Sequence, residues 1–272
     1  MESPMKKTFA AVVFCVVLLL ACFAAAAGQD LPAPGKQVLL SIIAPVGQPF
    51  RSPEEADLPG EEYLPSEEPL TEIPYWLFLP VNESEKTEKG FPLLLFLHGA
   101  GEGADPNHLR SIGIPALADR DGGTTWPFIT VSPACPSESR WSAEQILPIL
   151  DRVTAEYPVD PDRVYVMGIS MGGYGTWMIL GKAPDRFAAG APLCGGCDPA
   201  NAPKLLDVPI WAFHGDADDV VLPERSIAIF RAIKALGGEK ARLTLFCGCG
   251  HGCWDGAVAD GELFRWLLSQ SR

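Results

Sequence analysis

Positive charge is scarce in this sequence of 272 residues. Twenty-one Lys and Arg stand against 34 Asp and Glu, which gives a formal net charge of −13. Such a chain repels phosphate backbones, so we exclude a nucleic-acid-binding protein. Histidine is also scarce, with four in the chain, so few residues can act as a base near neutral pH. Long apolar runs are limited to residues 8–27, and no other segment is long and apolar enough to cross a membrane.

That apolar run resembles a targeting segment. Lys6 and Lys7 precede it, and it ends in small residues before Gly28, as in a secretory signal peptide. We therefore predict a signal peptide over residues 1–27 and a secreted or periplasmic protein. Two alternatives stay open: an uncleaved membrane anchor, and a lipoprotein signal whose LLAC motif would lead to lipidation of Cys22.

Six cysteines follow the predicted signal: Cys135, Cys194, Cys197, Cys247, Cys249 and Cys253. Disulfides fit an oxidising compartment, but the sequence does not choose among the pairings. The motif Cys194-Gly-Gly-Cys197 follows an apolar strand and opens no helix, which disfavours a redox site. The run from Cys247 to Cys253 resembles a zinc ligand set, but its spacing is unusual and its histidine has a better use. We predict no metal.

Two regions follow the signal. Residues 28–72 form an acidic, proline-rich extension with one candidate strand at 37–44, and residues 73–272 alternate short apolar runs with helical patterns. Apolar runs without alternation are typical of buried parallel strands, so we predict a doubly wound α/β sheet. The predicted strands are 75–79 at an edge, 92–97, 127–131, 163–168, 187–193, 208–213 and 241–246; the predicted helices are 142–157, 171–182, 223–236 and 255–269.

The segment Gly168-Ile-Ser170-Met171-Gly172 matches the G-x-S-x-G motif. The apolar strand RVYVMG leads into it and a helix follows, which is the context that exposes a nucleophilic serine on a sharp turn. We therefore predict Ser170 as the nucleophile and the Met171 N–H as one oxyanion donor. The second donor should come from the loop after strand 92–97, where we favour Ala100 and keep Gly101 open.

A nucleophilic serine needs a base, and in α/β-hydrolases the chain order is serine, acid, histidine. His98 and His108 precede Ser170. His214 ends an apolar strand and is expected to shape the following turn. His251 follows the strand at 241–246, so we predict it as the base.

The acid lies in the segment GDADDVV, which has three aspartates just beyond a strand. One carboxylate can sit behind the histidine, because several would repel one another. We predict Asp218 as the acid, with Asp216 and Asp219 as alternatives.

These motifs resemble a known family. The segments LFLHGAGEGAD, RVYVMGISMGGYG, VPIWAFHGDADDVVLPERS and GCGHGCWD are similar to secreted phospholipase/carboxylesterase-type members of the α/β-hydrolase superfamily, close to feruloyl esterases, polyhydroxybutyrate depolymerases and prolyl-oligopeptidase-like proteins. The resemblance implies the α/β-hydrolase fold, a triad of Ser170, Asp218 and His251, and an oxyanion loop at His98-Gly99. The cysteine-rich run at 246–253 and the acidic segment before residue 73 depart from that pattern.

Ten residues, 198–207, separate Cys197 from the strand that begins at Val208, which leaves no room for a cap domain. An uncapped site suits small-molecule esters or esters carried on polysaccharides. Trp141 and Trp254 fall near strand ends, where they could stack on a sugar or phenolic acid or pack in the core. We predict an exported serine carboxylesterase that needs no cofactor. The alternatives are a prolyl-oligopeptidase-like peptidase and a non-catalytic glycan-binding surface lipoprotein.

Overall fold

A computed structural model describes residues 32–46, 70–137 and 139–272. The predicted signal peptide, with its Cys22, and most of the acidic extension lie outside these ranges. The described residues form one eight-stranded sheet: β1 Gln37–Pro45, β2 Leu70–Phe78, β3 Phe91–Leu97, β4 Ile129–Pro133, β5 Val159–Ile169, β6 Ala189–Leu193, β7 Ile210–Gly215 and β8 Ala241–Phe246. No helix in this part of the chain is long and apolar enough to cross a membrane.

The strand order is β1-β2-β4-β3-β5-β6-β7-β8. β2 pairs antiparallel with both β1 and β4, and the remaining neighbours are parallel. This arrangement confirms the predicted, mostly parallel α/β-hydrolase sheet. The carboxyl ends of β5, β7 and β8 therefore lie at one edge of the sheet, where sites in such folds are built.

Helices cover both faces: α1 Pro106–Arg110, α2 Gly113–Asp119, α3 Ala143–Glu156, α4 Met171–Lys182, α5 Glu224–Ala235, α6 Trp254–Val258 and α7 Glu262–Leu268. Alternate side chains of β3 enter two different apolar clusters, because neighbouring side chains of a strand point to opposite faces. Leu93 and Leu95 pack with α3, α4 and α5, whereas Leu94 and Phe96 pack with α1, α2 and α7. The sheet is doubly wound.

The predicted edge strand at 75–79 is wrong in its position in the sheet. β2 begins at Leu70 and lies between β1 and β4, and β1 is the edge strand. The apolar residues of 37–44 provide β2 with an antiparallel partner along its full length. The residue pattern alone does not reveal this pairing, which spans a long segment of chain.

The predicted helix at 255–269 is two helices. α6 ends at Val258 and α7 begins at Glu262, with Gly261 between them in a left-handed conformation, φ 70°. Glycine tolerates that conformation better than other residues, so the helix breaks there. The other three predicted helices are present, and Ser142 caps α3 in a reciprocal capping box with Gln145.

Candidate active site

Ser170 lies on the turn between β5 and α4. Its backbone has φ 56° and ψ −116°, an unfavourable conformation for a residue with a side chain. Two glycines make the turn sterically feasible. A Cβ on Gly172 would lie 1.8 Å from the Leu97 carbonyl oxygen, and one on Gly168 would lie 2.4 Å from the Gly172 carbonyl oxygen. The glycines of the G-x-S-x-G motif are therefore required by backbone-to-backbone packing.

The structure brings the three predicted triad residues together. His251 Nε2 lies 2.9 Å from Ser170 Oγ, and His251 Nδ1 lies 2.8 Å from Asp218 Oδ2. A carboxylate only accepts, so Nδ1–H donates to Asp218 and Nε2 is left to accept from the serine hydroxyl. This is the geometry by which an imidazole removes a proton from an attacking hydroxyl.

The structure also separates the three candidate aspartates. Asp218 is buried and faces His251, whereas Asp219 is exposed. Asp216 Oδ1 accepts from the Gly248 N–H at 2.6 Å, so it braces the loop that precedes the histidine. Asp218 is therefore the aspartate in contact with the imidazole.

Backbone donors also hold the Asp218 carboxylate. Its Oδ1 accepts from the N–H groups of Val220 and Val221, each at 3.0 Å. Burial acts to raise the pKa of Asp218, but the hydrogen bond from His251 and these two N–H groups bring it below its usual value. The carboxylate therefore remains ionised and able to stabilise a charged imidazole.

His214 contacts the same carboxylate. Its side chain is fully buried, and Nε2 lies 2.8 Å from the Val221 carbonyl oxygen and 3.2 Å from Asp218 Oδ2. Nδ1 lies 2.8 Å from Ser226 Oγ. The contact with Val221 agrees with the predicted turn-shaping role. The contact with Asp218 was not predicted, although the two residues are only four positions apart in the segment HGDAD.

The loop after β3 presents the predicted oxyanion donors. Ala100 and Met171 both line the cavity beside Ser170, and neither N–H donates to another group among the described residues. The Gly99 N–H, by contrast, donates to Glu102 Oε2 at 2.8 Å. Gly101 has φ 81°, which suits the tight turn. The arrangement leaves the Ala100 and Met171 donors available for a substrate oxygen.

Buried His98 fixes the start of this loop. Its Nδ1–H donates to the Gly99 carbonyl at 2.6 Å, and its Nε2 accepts from the Cys135 N–H at 2.9 Å. Nε2 can accept only when the ring is neutral, and burial lowers the pKa of His98 to about 4. Gly103 packs against the ring so closely that a Cβ there would lie 2.2 Å from Nε2.

A cavity of about 550 Å³ opens next to Ser170. Trp141, Tyr174, Trp177 and Met178 form much of its apolar wall. Trp141 also packs edge-on against the His98 ring and donates its Nε1–H to the His98 carbonyl at 3.1 Å, so it supports the oxyanion loop as well.

The structure places Trp254 elsewhere. This residue begins α6 and packs with the apolar cluster around α7, outside the described lining of the cavity. The expectation that it contacts substrate is therefore not supported by its position.

The side chains of the cysteine-rich run from Cys247 to Cys253 do not converge as a zinc ligand set among the described residues. In the described part of the chain, the potential metal ligands that cluster are Cys194, Asp218 and His251, whose ligand atoms lie within 4.8 Å of one another. Cys247 and Cys249 are exposed and lie outside this cluster. Asp218 and both ring nitrogens of His251 already have partners in the triad, so these residues fit acyl-transfer chemistry better than a metal site.

Comparison with known proteins finds esterases and peptidases among the proteins similar to this chain. The profile of the prolyl oligopeptidase family matches residues 138–202, which include the serine turn. A bifunctional acetylxylan esterase/xylanase, XynS20E of Neocallimastix patriciarum, is 36% identical over 139 residues, which are 48% of this chain and 20% of that protein. Acylamino-acid-releasing enzyme of Arabidopsis thaliana is 27% identical over 52% of this chain and 20% of its own length. The chain thus spans a fifth of each of these relatives.

Among solved structures, a thermostable esterase matches with a TM-score of 0.63 and 30% identity over 86% of this chain and 63% of its own. The fold and the site together define an α/β-hydrolase with a Ser-His-Asp arrangement. Within that class, the matches confirm the resemblance to carboxylesterases and their prolyl-oligopeptidase-like neighbours.

Proposed function

We propose that this chain is a serine carboxylic-ester hydrolase. The observation that carries the proposal is the hydrogen-bonded line Ser170–His251–Asp218, which ends beside two available backbone N–H groups and an open cavity. These are the parts that acyl transfer needs: a nucleophile, a base, an orienting acid and donors for the oxyanion.

The first half of the reaction forms an acyl-enzyme. Ser170 Oγ attacks the ester carbonyl carbon while its proton passes to His251 Nε2. The Ala100 and Met171 N–H groups receive the developing oxyanion, and Asp218 stabilises the charged imidazole. His251 then gives its proton to the departing alcohol oxygen, and the acyl group remains on Ser170.

The second half releases the acid. A water molecule enters from the open side of the cavity and gives a proton to His251 while it attacks the acyl carbon. The tetrahedral intermediate collapses as Ser170 Oγ leaves and recovers its proton from the same imidazole. Ser170, His251, Asp218 and the two backbone N–H groups thus act in both steps, with water as the second nucleophile.

We propose small-molecule or polysaccharide-borne esters as substrates. The short connection between β6 and β7 adds no lid over Ser170, and its 3-10 helix Pro199–Lys204 borders the cavity through Asn201 and Lys204. A bifunctional acetylxylan esterase and a feruloyl esterase B of Neurospora crassa, the latter 30% identical over 38% of this chain, are among the relatives. Feruloyl and acetyl esters of glycans are therefore the first natural substrates to test.

A serine peptidase is the second candidate. The prolyl oligopeptidase profile and the match to an acylamino-acid-releasing enzyme favour it, since the same triad also cleaves amides. A non-catalytic glycan-binding protein is less well supported, because nucleophile, base and acid all contact their expected neighbours.

The test is hydrolysis of p-nitrophenyl esters from acetate to octanoate, with matched p-nitroanilides and the Ser170→Ala variant alongside. The proposal expects fast ester turnover, much slower anilide turnover, and a fall in kcat of roughly 10⁵- to 10⁶-fold in the variant. Faster anilide cleavage would favour the peptidase. Ester turnover that survives the substitution would overturn the assignment of Ser170.

We further propose that the protein acts outside the cytoplasm. Lys6 and Lys7 before an apolar run that ends in small residues support export. N-terminal sequencing and mass measurement of the mature protein distinguish three outcomes: cleavage near Gly28, lipidation at Cys22, and an intact anchor. An intact, intracellular chain would contradict the proposal.

A further inference from the structure

Two buried thiols meet directly behind the triad. Cys194 follows β6 and Cys253 precedes α6, and their Sγ atoms lie 3.0 Å apart although the residues are 59 positions apart in sequence. They are 0% and 3% exposed. Among the described residues, Cys194 and Cys253 are the two cysteines whose thiols contact each other. Cys135 instead contacts Ser139.

The pair lies against the residue that the mechanism uses as its base. Cys194 Sγ is 3.3 Å from the carbonyl oxygen of His251, and Cys253 is two residues beyond that histidine. Residues 247–250 and 252 of the loop are exposed. On its other side the loop contacts the turn after β7: the Ala217 N–H donates to the Cys249 carbonyl at 3.0 Å, and the carboxylates of Asp216 and Asp218 accept from Gly248 and His251. The thiol pair therefore adds the contact to β6.

We propose that Cys194 and Cys253 form a disulfide that joins the histidine loop to the end of β6. A disulfide has an S–S distance near 2.05 Å, so each sulfur needs to move only about half an ångström. The bond would hold the backbone of His251 against the strand that also supports the serine turn, where the Ser170 N–H donates to the Leu193 carbonyl at 2.9 Å. Cys194 and Cys253 would then be positioning residues for the base.

The chemistry requires an oxidant. Two thiols lose two protons and two electrons to form the S–S bond, and a disulfide oxidant, such as glutathione disulfide or a protein disulfide, takes them up and is reduced to two thiols. Because both sulfurs are buried in the folded chain, we expect the bond to form during folding, before the histidine loop packs against β6. Burial would then protect it from small thiols.

The direct test needs no variant. Full-length protein from an oxidising expression host is denatured and alkylated, with and without prior reduction by a phosphine, and its free thiols are counted. The proposal expects two more thiols after reduction, and a non-reduced digest should contain one cross-linked peptide pair with Cys194 and Cys253. Equal thiol counts, or a cross-link that joins Cys253 to Cys247 or Cys249, would overturn it.

The positioning role is tested by kinetics and rests on the proposed esterase activity. The Cys194→Ser/Cys253→Ser double variant should lower kcat at least threefold with KM nearly unchanged, because substrate binding does not involve the bond. Reduction in mild denaturant should lower wild-type kcat to the same extent and leave the double variant unaffected. An unchanged kcat in both cases would refute the role.

The matched control is Cys247→Ser/Cys249→Ser, which removes two exposed thiols of the same loop and should behave like the wild type. A loss of kcat in this control as large as in the double variant would count against the specific pair. Failure of the esterase proposal has a different signature: there would be no ester turnover in any redox state, whereas the thiol count would be unaffected.

Discussion

The serine and the histidine of the triad are held in different ways. Ser170 stands on a turn enclosed by backbone: Gly168, Gly172 and Leu97 pack so closely that no additional carbon fits between them. His251 stands on a loop whose residues 247–250 are exposed. The loop backbone packs on the turn after β7, where the Ala217 N–H donates to the Cys249 carbonyl at 3.0 Å, and its other contacts come from the carboxylates of Asp216 and Asp218 and the thiol of Cys194. The nucleophile is thus enclosed by backbone, whereas the base is held by a backbone contact on one side and by side-chain hydrogen bonds.

This difference predicts two kinds of failure. A substitution at the glycines that enclose the serine turn should disrupt folding, since the strained backbone depends on its neighbours. A substitution on the histidine side should leave the fold intact and change the reaction. Variants on the two sides of the site separate these failures, and the triad acid has the largest expected effect.

The Asp218→Asn variant should lose about 10⁴-fold in kcat while its unfolding transition stays close to that of the wild type. An amide at this position can donate to His251 Nδ1, which favours the tautomer that cannot accept the Ser170 proton. Steady-state kinetics and thermal unfolding provide the measurement. Asp219→Asn is the matched control, because that carboxylate is exposed, and it should keep nearly full activity. A larger loss of kcat in the control would show that Asp218 is not the acid of the triad.

The Gly172→Ala variant should be destabilised by about 4 kcal/mol or more, since its Cβ would overlap the Leu97 carbonyl oxygen. Gly181 is in the same helix, and a Cβ there meets nothing within 4 Å. Gly181→Ala should therefore stabilise the protein by about 0.5–1 kcal/mol. Denaturant unfolding of both variants provides the comparison. Similar free energies of unfolding for the two would show that the serine turn is not fixed by packing.

Acidic pH should lower the free energy of unfolding by protonating His98, which holds the oxyanion loop. His98 has a pKa of about 4 in the fold against an ordinary 6.5, so the unfolded chain binds more protons between these values. The free energy of unfolding should therefore fall by up to about 3 kcal/mol as the pH drops from 6.5 to 4. Asp218, whose pKa is lowered, keeps its contribution until lower pH. A His98→Gln variant should show a much flatter dependence in that range; an equally steep one would exclude His98 as the source.

The His214→Asn variant should lower kcat about tenfold with little change in KM, because the loss of one charge-contacting hydrogen bond is worth about 1.5 kcal/mol. The acid limb of the kcat/KM profile should also shift, which a purely structural defect would not cause. His108→Asn, an exposed histidine in α1, is the control and should have no effect. An unchanged pH profile in His214→Asn would show that His214 shapes the turn and does not act on the triad.

Much of this site follows from local sequence. The strand, the G-x-S-x-G turn and the helix are contiguous, so Ser170 and Met171 could be predicted from neighbours alone. His251 followed from chain order. The choice among Asp216, Asp218 and Asp219 could not be made so firmly, since only the folded turn shows which carboxylate points inward.

The parts that were missed or misplaced depend on contacts between distant segments. The pairing of β1 with β2 and the approach of Cys194 to Cys253 are of this kind. Trp254 packs with the apolar cluster around α7, which is one of the two roles that the sequence left open, and the choice between them also depends on contacts with distant residues. The contact of His214 with Asp218 is local in sequence, but it depends on how the turn after β7 closes.

The most direct measurement is the identity of the acylated residue during turnover. Wild-type protein mixed with p-nitrophenyl acetate is quenched in acid within milliseconds, digested and analysed by mass spectrometry. The account predicts one acetyl group on the peptide that contains Ser170, and none in Ser170→Ala. Acetylation of a different side chain, or fast turnover with no acyl-enzyme at any time, would contradict it.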